Sequence, residues 1–172
     1  MIEYLTHGGV IMINISIVKL ENNLSNKKVL VNFINKDTEN KCFLISGYDE
    51  LDKENTPEKM AELFFEEIDF FGIKYLDKYI GILCAHDGLV GIFVEPEYQR
   101  KGFGKKALIM FEDMVKERYK YNELIAEIVS DNAASINFFS QTGYQYTNEH
   151  YDSPMNGNNI TFLKYKKVLS SK

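Results

Sequence analysis

Two closely spaced glycines within a basic turn are the feature of this chain best suited to chemistry. Gly102 and Gly104 follow an apolar run that ends at Val94, and an amphipathic pattern begins directly after them. The basic residues of the turn are Arg100, Lys101, Lys105 and Lys106. A glycine turn before a helix directs several unpaired backbone N–H groups into one small volume, at the positive end of the helix dipole. The natural ligand of such a turn is an anion, most often a phosphate, and glycine leaves room for its close approach.

A strand must precede this turn and a helix must follow it. Residues 89–94 form an apolar run, and apolar side chains recur at helical spacing from Ala107 to Val115. Two turn signals, Asp77-Lys78 and His86-Asp87-Gly88, interrupt the preceding segment. Residues 73–94 are therefore predicted to form three successive antiparallel strands.

The remaining segments add helices and strands on either side of this unit. Thr56, Pro57 and Glu58 predict a helix start, because a capping threonine precedes a proline and an acid, and Gly72 ends the helical pattern. The other predictions are a strand at 13–20, a helix at 24–34, a short apolar run of undecided type at 42–45, a strand at 124–129, a helix at 132–142, and strands at 144–151 and 160–168 around a turn-rich segment at 153–158. This order indicates one α+β (α/β three-layer) domain over residues 1–172, with 1–11 as a candidate N-terminal extension.

Composition argues against several classes of protein. A net charge of −5 over 172 residues is unlike a nucleic-acid-binding domain. No apolar stretch reaches the roughly 18 residues that a membrane span needs, and the N-terminus lacks the basic segment of a signal peptide. Cys42 and Cys84 lack paired spacing, so we expect reduced thiols in a cytoplasmic protein. His7, His86 and His150 form no ligand spacing with either cysteine, so no metal is expected.

The glycine turn differs from two familiar phosphate loops. It lacks the G-x-x-x-x-G-K-[ST] pattern of a Walker A loop, and it lacks the third glycine of the Rossmann pattern G-x-G-x-x-G. What remains is Gln99-x-x-Gly102-x-Gly104, preceded by Val94-x-Pro96-x-Tyr98. This pattern resembles the [QR]-x-x-G-x-[GA] loop with which the GNAT acyltransferase superfamily binds the pyrophosphate of acyl-CoA.

A second segment carries the same resemblance. Residues 132–144, NAASINFFSQTGY, are similar to the later motif of that family, N-x-x-[AS]-x-x-[FL]-[YF]-x-x-x-G-[FY]. The two motifs are separated by one helix and one strand, as the family fold requires, and the resemblance is clear over residues 73–168. It implies a GNAT-like mixed, mostly antiparallel central sheet with helices on both faces and a splay between strands 4 and 5. It also implies acetyl-CoA as the cosubstrate.

The resemblance further implies which residues would hold the cofactor. Backbone groups of Phe93 and Val94 would pair with the pantetheine arm like an added strand. Asn132 would bond the pantetheine amide or the turn that receives it, a role compatible with capping its own helix. The predicted pyrophosphate-binding residues are Gln99, Arg100, Lys101, Gly102, Phe103, Gly104 and Lys105. Phe138 would pack beside the cofactor arm, and Ser135 completes the predicted binding set.

The position of the usual general acid departs from the family pattern. Many members have there a tyrosine that protonates the departing CoA thiolate, whereas this chain has Phe139. The thiol pKa near 8.5 makes the thiolate a tolerable leaving group without full acid assistance. The candidate substitutes are Tyr144, Tyr146 or a water molecule. Phe139 is equally consistent with a core aromatic residue.

The base and the carbonyl donor are also open. The start of strand 4 lacks the usual carboxylate, so His86, in the turn before it, is the candidate base. Glu95 and Glu97 are expected to be solvated or helix-N-terminal acids. The backbone N–H of Val94 is the candidate donor to the thioester carbonyl.

These observations lead to an expected function. The chain is predicted to be an N-acetyltransferase that transfers an acetyl group from acetyl-CoA to a primary amine by direct attack in a ternary complex. The alternative, motivated by Phe139, is an acyl-CoA-binding or sensory module that has lost catalysis. The expected partners are a small-molecule or peptide amine and, by family analogy alone, a second copy of the chain through the terminal strands.

Overall fold

The computed structural model describes residues 3–6, 9–12, 14–36, 56–155 and 158–169. Its strands are β1 (Glu3–Thr6), β2 (Gly9–Met12), β3 (Ile15–Leu20), β4 (Asp69–Tyr75), β5 (Lys78–His86), β6 (Leu89–Val94), β7 (Glu123–Val129), β8 (Gln145–Met155) and β9 (Asn158–Val168). Its helices are α1 (Leu24–Lys36), α2 (Pro57–Glu67), α3 (Phe103–Tyr119) and α4 (Ala133–Gln141). A single turn of 3₁₀ helix, Pro96–Tyr98, lies between β6 and α3.

Within the described residues, the central sheet has seven strands in the order β3-β4-β5-β6-β7-β9-β8, and β1 pairs with β2 in a separate two-stranded sheet. Every neighbouring pair of the large sheet is antiparallel except β6 and β7, which run parallel. The predicted mixed, mostly antiparallel sheet is therefore confirmed.

Helices cover both faces of this sheet and bury a separate apolar core on each. One core lies under α3 and α4 and includes Phe71, Leu83, Leu108 and Phe111. The other lies under α1 and α2 and includes Leu30, Phe33, Phe64 and Phe70. Adjacent strand residues such as Phe70 and Phe71 face opposite cores, because successive side chains of a strand alternate between its faces. The three-layer arrangement predicted from the sequence is confirmed.

Two predicted boundaries are wrong. Helix α2 begins as expected, with the Thr56 side chain accepting a hydrogen bond from the Lys59 N–H, but it ends at Glu67 and Gly72 lies inside β4. Strand β4 is buried on both faces, so its continuous apolar sequence looked like part of the helix. The segment 153–158 was expected to be a turn, yet β8 extends through Pro154 to Met155. Proline is tolerated there because β8 is an edge strand.

The other predicted elements have the expected type. The three strands predicted within 73–94 are β4, β5 and β6, and the helices predicted after Gly102 and Asn132 are α3 and α4. Residues 42–45 lie outside the described residues, as does Ile13 at the start of the first predicted strand. The segment 1–11 contains strands β1 and most of β2, which the sequence did not predict; its status as an extension stays a prediction.

Candidate active site

The parallel strands β6 and β7 separate along their length. All of their residues are described, and their register consists of one pair, Leu89 with Ile125, supported by a hydrogen bond of 2.9 Å from the Ile125 N–H to the Gly88 carbonyl. Because the strands are parallel, their carboxyl ends, Val94 and Val129, lie at the same edge of the sheet. The splay expected between the fourth and fifth strands of the large sheet is therefore present, and it opens toward that edge.

The backbone of Val94 faces this opening. The Glu95 N–H donates to the Ile80 carbonyl over 2.9 Å, and Val94 stands opposite Gly81 in the β5–β6 ladder. Pairing alternates along an antiparallel ladder, so Phe93 and Glu95 direct their N–H groups at β5 while Val94 directs its N–H at the splay. The same alternation directs the Ile92 backbone at the splay. Of the predicted pair, Val94 is thus placed to meet a ligand arm, whereas the Phe93 backbone faces β5.

Hydrogen bonds from a side chain and from the backbone fix the conformation of the turn after β6. The Gln99 side-chain amide donates to the Val94 carbonyl over 2.8 Å, which holds the turn against the end of the strand. Gly102 caps α3 with a φ of 86°, a left-handed conformation that favours glycine. The Lys106 N–H donates to the Gly102 carbonyl at 3.0 Å. The earlier N–H groups of the helix, at 103–105, have no intrahelical acceptor and point out of its positive end.

Three predicted site residues come together beside this helix end. A Cβ on Gly104 would lie 3.3 Å from Cε2 of Phe138 and 3.5 Å from Cγ2 of Val94. Helix α4 carries Phe138 and begins at Asn132, whose side chain accepts a hydrogen bond of 3.1 Å from the Ser135 N–H. Asn132 therefore caps α4 directly after β7, so the N-termini of α3 and α4 both follow the carboxyl ends of the splayed strands.

Charge and packing divide the turn into two parts. Arg100, Lys101 and Lys105 are exposed, and within the described ranges none of them forms an ion pair. Phe103 is buried instead, with its ring 4.8 Å from that of Tyr75. Its side chain anchors the start of α3 in the core, so only its backbone N–H is available to an anion. The exposed cations and free N–H groups form a site suited to a pyrophosphate.

The proposed substitute acid lies apart from this turn. Tyr144 is 2% exposed and its hydroxyl is buried near Glu112. Burial, reinforced by the negative charge of Glu112, raises the pKa of Tyr144 above its usual value. Glu112 is eight residues beyond Gly104 along α3, about 12 Å at the rise of a helix. The ring of Phe139, 5% exposed, packs 5.0 Å from that of Tyr144, so Phe139 is a core aromatic residue.

Two other reactive side chains are also distant from Val94. His86 pairs with Leu89 at the first position of β6, which places it about 17 Å along the strand from Val94. Its Nδ1 lies 2.8 Å from the Glu67 carbonyl oxygen. The Cys84 thiol lies against Gly91, and burial raises its pKa to about 11. A thiol that stays protonated at neutral pH is a poor nucleophile.

A buried carboxylate next to Val94 was missed by the sequence prediction. Glu95 was expected to be solvated or helix-N-terminal; it lies at the N-cap of the 3₁₀ turn without a side-chain cap hydrogen bond, and it is 3% exposed rather than solvated. Its carboxylate oxygens lie 2.6 Å from the Lys36 Nζ and 3.1 Å from the Lys78 Nζ. Glu97 meets the expectation, with an exposed side chain that also pairs with Lys78 at 2.9 Å. The sequence signal for the burial of Glu95 is that it continues the alternation of strand β6, which places its side chain on the face of the sheet opposite that of Val94.

Comparison with known proteins agrees with this geometry. Residues 35–144, more than half of the chain, match the model of the acetyltransferase (GNAT) family. The chain belongs to the GNAT acetyltransferase family. No curated protein matches the sequence.

Several solved structures share the fold. A spermidine N-acetyltransferase from Vibrio cholerae in complex with CoA and spermine superposes with a TM-score of 0.68 at 14% identity, over 90% of this chain and 95% of that one. A dodecameric structure of a spermidine N-acetyltransferase from the same organism gives 0.68 at 15%, over 91% and 94%. An acetyltransferase from Salmonella typhimurium that modifies the N-terminal serine of ribosomal protein L7/L12 gives 0.69 at 14%, over 91% and 95%.

The described residues contain no group of three or more histidine, cysteine, aspartate or glutamate side chains that could hold a metal ion. Among the helices of these same segments, none is long and apolar enough to cross a membrane.

Proposed function

We propose that this protein is an N-acetyltransferase that transfers the acetyl group of acetyl-CoA to a primary amine. The observation that carries the proposal is the meeting of Val94, Gly104 and Phe138 where β6 and β7 separate. The pantetheine arm would lie in the splay and pair with the backbone of Ile92 and Val94. The pyrophosphate would bind the N–H groups at 103–105 and the cations of Arg100, Lys101 and Lys105.

The transfer would proceed by direct attack. The neutral amine nitrogen adds to the thioester carbonyl, the carbon–sulfur bond breaks, CoA leaves as a thiolate, and the proton that the amine loses passes to water. The Val94 N–H would donate to the carbonyl oxygen as negative charge develops there. Because Phe139 has no exchangeable proton and the Tyr144 hydroxyl is buried, the thiolate would take its proton from water or from Tyr146, which is 38% exposed. A thiol pKa near 8.5 makes this step feasible.

The acceptor class remains part of the proposal. Among the structural relatives, one is described with spermine bound and another modifies a protein N-terminus, and both acceptors are amines. We expect an amine acceptor here as well. Assembly through the terminal strands is a further prediction, since β8 is one of the two edge strands of the large sheet in the described residues.

A turnover experiment tests the function. The purified chain is mixed with acetyl-CoA and a panel of polyamines, aminoglycosides and peptides with free N-termini, and free thiol is measured. We expect thiol release with at least one amine, matched mole for mole by an acetylated product in mass spectrometry. Tight CoA binding without turnover on any amine would instead favour the acyl-CoA-binding module, for which the absence of a hydroxyl at Phe139 is the supporting observation.

A further inference from the structure

The buried carboxylate of Glu95 joins three elements at the open end of the splay. Glu95 follows β6 directly, Lys36 is the last residue of α1, and Lys78 is the first of β5. The Glu95 side chain is 4% exposed, compared with 42% for Lys36 and 54% for Lys78. The carboxylate is therefore the buried member of this cluster, and each of its oxygens has its own ammonium partner.

The main chain of Glu95 is held as firmly as its side chain. Its N–H donates to the Ile80 carbonyl over 2.9 Å, and its carbonyl accepts from the Tyr98 N–H over 2.9 Å. The hydrogen bond to Glu97, and to a smaller extent the one to Glu95, raises the pKa of Lys78 above its usual value, so this ammonium stays charged. A buried carboxylate with two charged partners has one well-defined position, because losing either partner would leave charge uncompensated.

This position matters because of the neighbouring residue. Val94 precedes Glu95, and its N–H is the group that faces the splay. A rotation of the strand end would move this N–H away from the thioester carbonyl, and small displacements of a positioned donor reduce rates steeply. The Val94 side chain packs in the core under α3 and α4, so Glu95 lies on the opposite face, where α1 ends.

We propose that Glu95 is a positioning residue that fixes the Val94 N–H in the splay by tying the end of β6 to α1 and β5. The proposal rests on the acetyltransferase function proposed above. In this proposal Glu95 does not contact the substrate. It holds the end of β6 in place mainly through its ion pair with Lys36.

Steady-state acetyl transfer and CoA affinity of the Glu95→Gln variant test this role. The variant keeps the size of the side chain but replaces one oxygen with an NH₂ group, which faces an ammonium and cannot pair with it. We expect kcat to fall about tenfold while the Kd for CoA changes by less than about twofold. The matched control is Glu97→Gln, which removes the same charge from the exposed partner of Lys78 and should leave both values within about twofold. Lys36→Met should also lower kcat. The double variant with Lys36→Met and Glu95→Gln should lose no more kcat than Glu95→Gln alone.

Hydrogen exchange of the Val94 amide in the CoA complex gives a readout independent of turnover. We expect the bound cofactor to protect this amide in the wild type and less so in Glu95→Gln. Equal kcat and equal Val94 protection in Glu95→Gln and Glu97→Gln would overturn the positioning role while leaving the proposed function intact. Wild type that protects Val94 yet acetylates no amine would overturn the function instead. If Glu95→Gln does not fold, the same two measurements on Lys36→Met test the positioning role.

Discussion

At the scale of single residues, the two glycines of the turn are required for different physical reasons. Gly102 is needed for its left-handed backbone, with φ at 86°. Gly104 is helical, and its missing side chain allows Phe138 to approach, since a Cβ there would lie 3.3 Å from the Phe138 ring. From the sequence, both glycines are interpreted as leaving room for the close approach of a phosphate. The structure shows that Gly104 also forms the contact between α3 and α4.

Gly104→Asp should abolish CoA binding. The new carboxylate would stand in the first turn of α3, next to the expected pyrophosphate, and repulsion of two charges at about 4 Å is worth about 4 kcal/mol near a protein surface. We expect Kd for CoA to rise at least a hundredfold in isothermal titration calorimetry. Gly104→Ala is the control, since its methyl group makes the same contacts with Phe138 and Val94 as the aspartate Cβ but adds no charge. Equal CoA affinity of the aspartate and alanine variants would refute the location of the pyrophosphate.

At the scale of elements, strand β6 has two unlike edges. Toward β5 its ladder is regular from Leu89 to Val94, while toward β7 it pairs at Leu89 alone. The amides of Phe93 and Glu95 are consequently held in the sheet, and that of Val94 is not. A strand with one free edge near its end can accept an extended ligand as an additional strand.

Amide exchange followed by NMR should reveal this asymmetry. Without ligand, we expect the Val94 amide to exchange at least about tenfold faster than that of Phe93, because only the latter is held by β5. Saturating CoA should slow exchange at Val94 and leave Phe93 nearly unchanged. Phe93 thus acts as the internal control. Slow exchange at Val94 in the free protein, or no response to CoA, would contradict the orientation of this strand edge.

Much of this fold and the glycine turn follow from local sequence, but the burial of Glu95 beside the site does not. Thr56 with Pro57, and Asn132, mark helix starts correctly because a cap is a short-range interaction. The end of α2 was missed because the apolar run after it reflects burial of β4 by both helical layers. Glu95 was missed for a similar reason: its partner Lys36 is 59 residues away in sequence. Burial of a charge depends on which distant residues the fold brings to it.

At the scale of the whole molecule, a second buried ion pair joins the α3–α4 layer to the sheet. Glu112 of α3 is 7% exposed, and one of its carboxylate oxygens lies 2.6 Å from the Nζ of Lys167 on β9. The same ammonium lies 5.6 Å from the centre of the Tyr144 ring. The pair therefore connects the helix that begins at the phosphate turn with the strands at the far side of the splay.

Lys167→Met should destabilise the protein while its neighbour Lys166→Met should not. Methionine retains the aliphatic packing against Gly143 but leaves the Glu112 carboxylate buried without its cation. Removing one member of a fully buried pair costs about 3 to 5 kcal/mol, and Lys167 is partly exposed, so we expect a loss of about 2 kcal/mol. Lys166 pairs with Glu123 at 3.3 Å on the surface, where such pairs contribute about 0 to 1 kcal/mol. Urea unfolding of both variants decides the matter: equal midpoints would show that the Glu112–Lys167 pair does not hold the helical layer to the sheet.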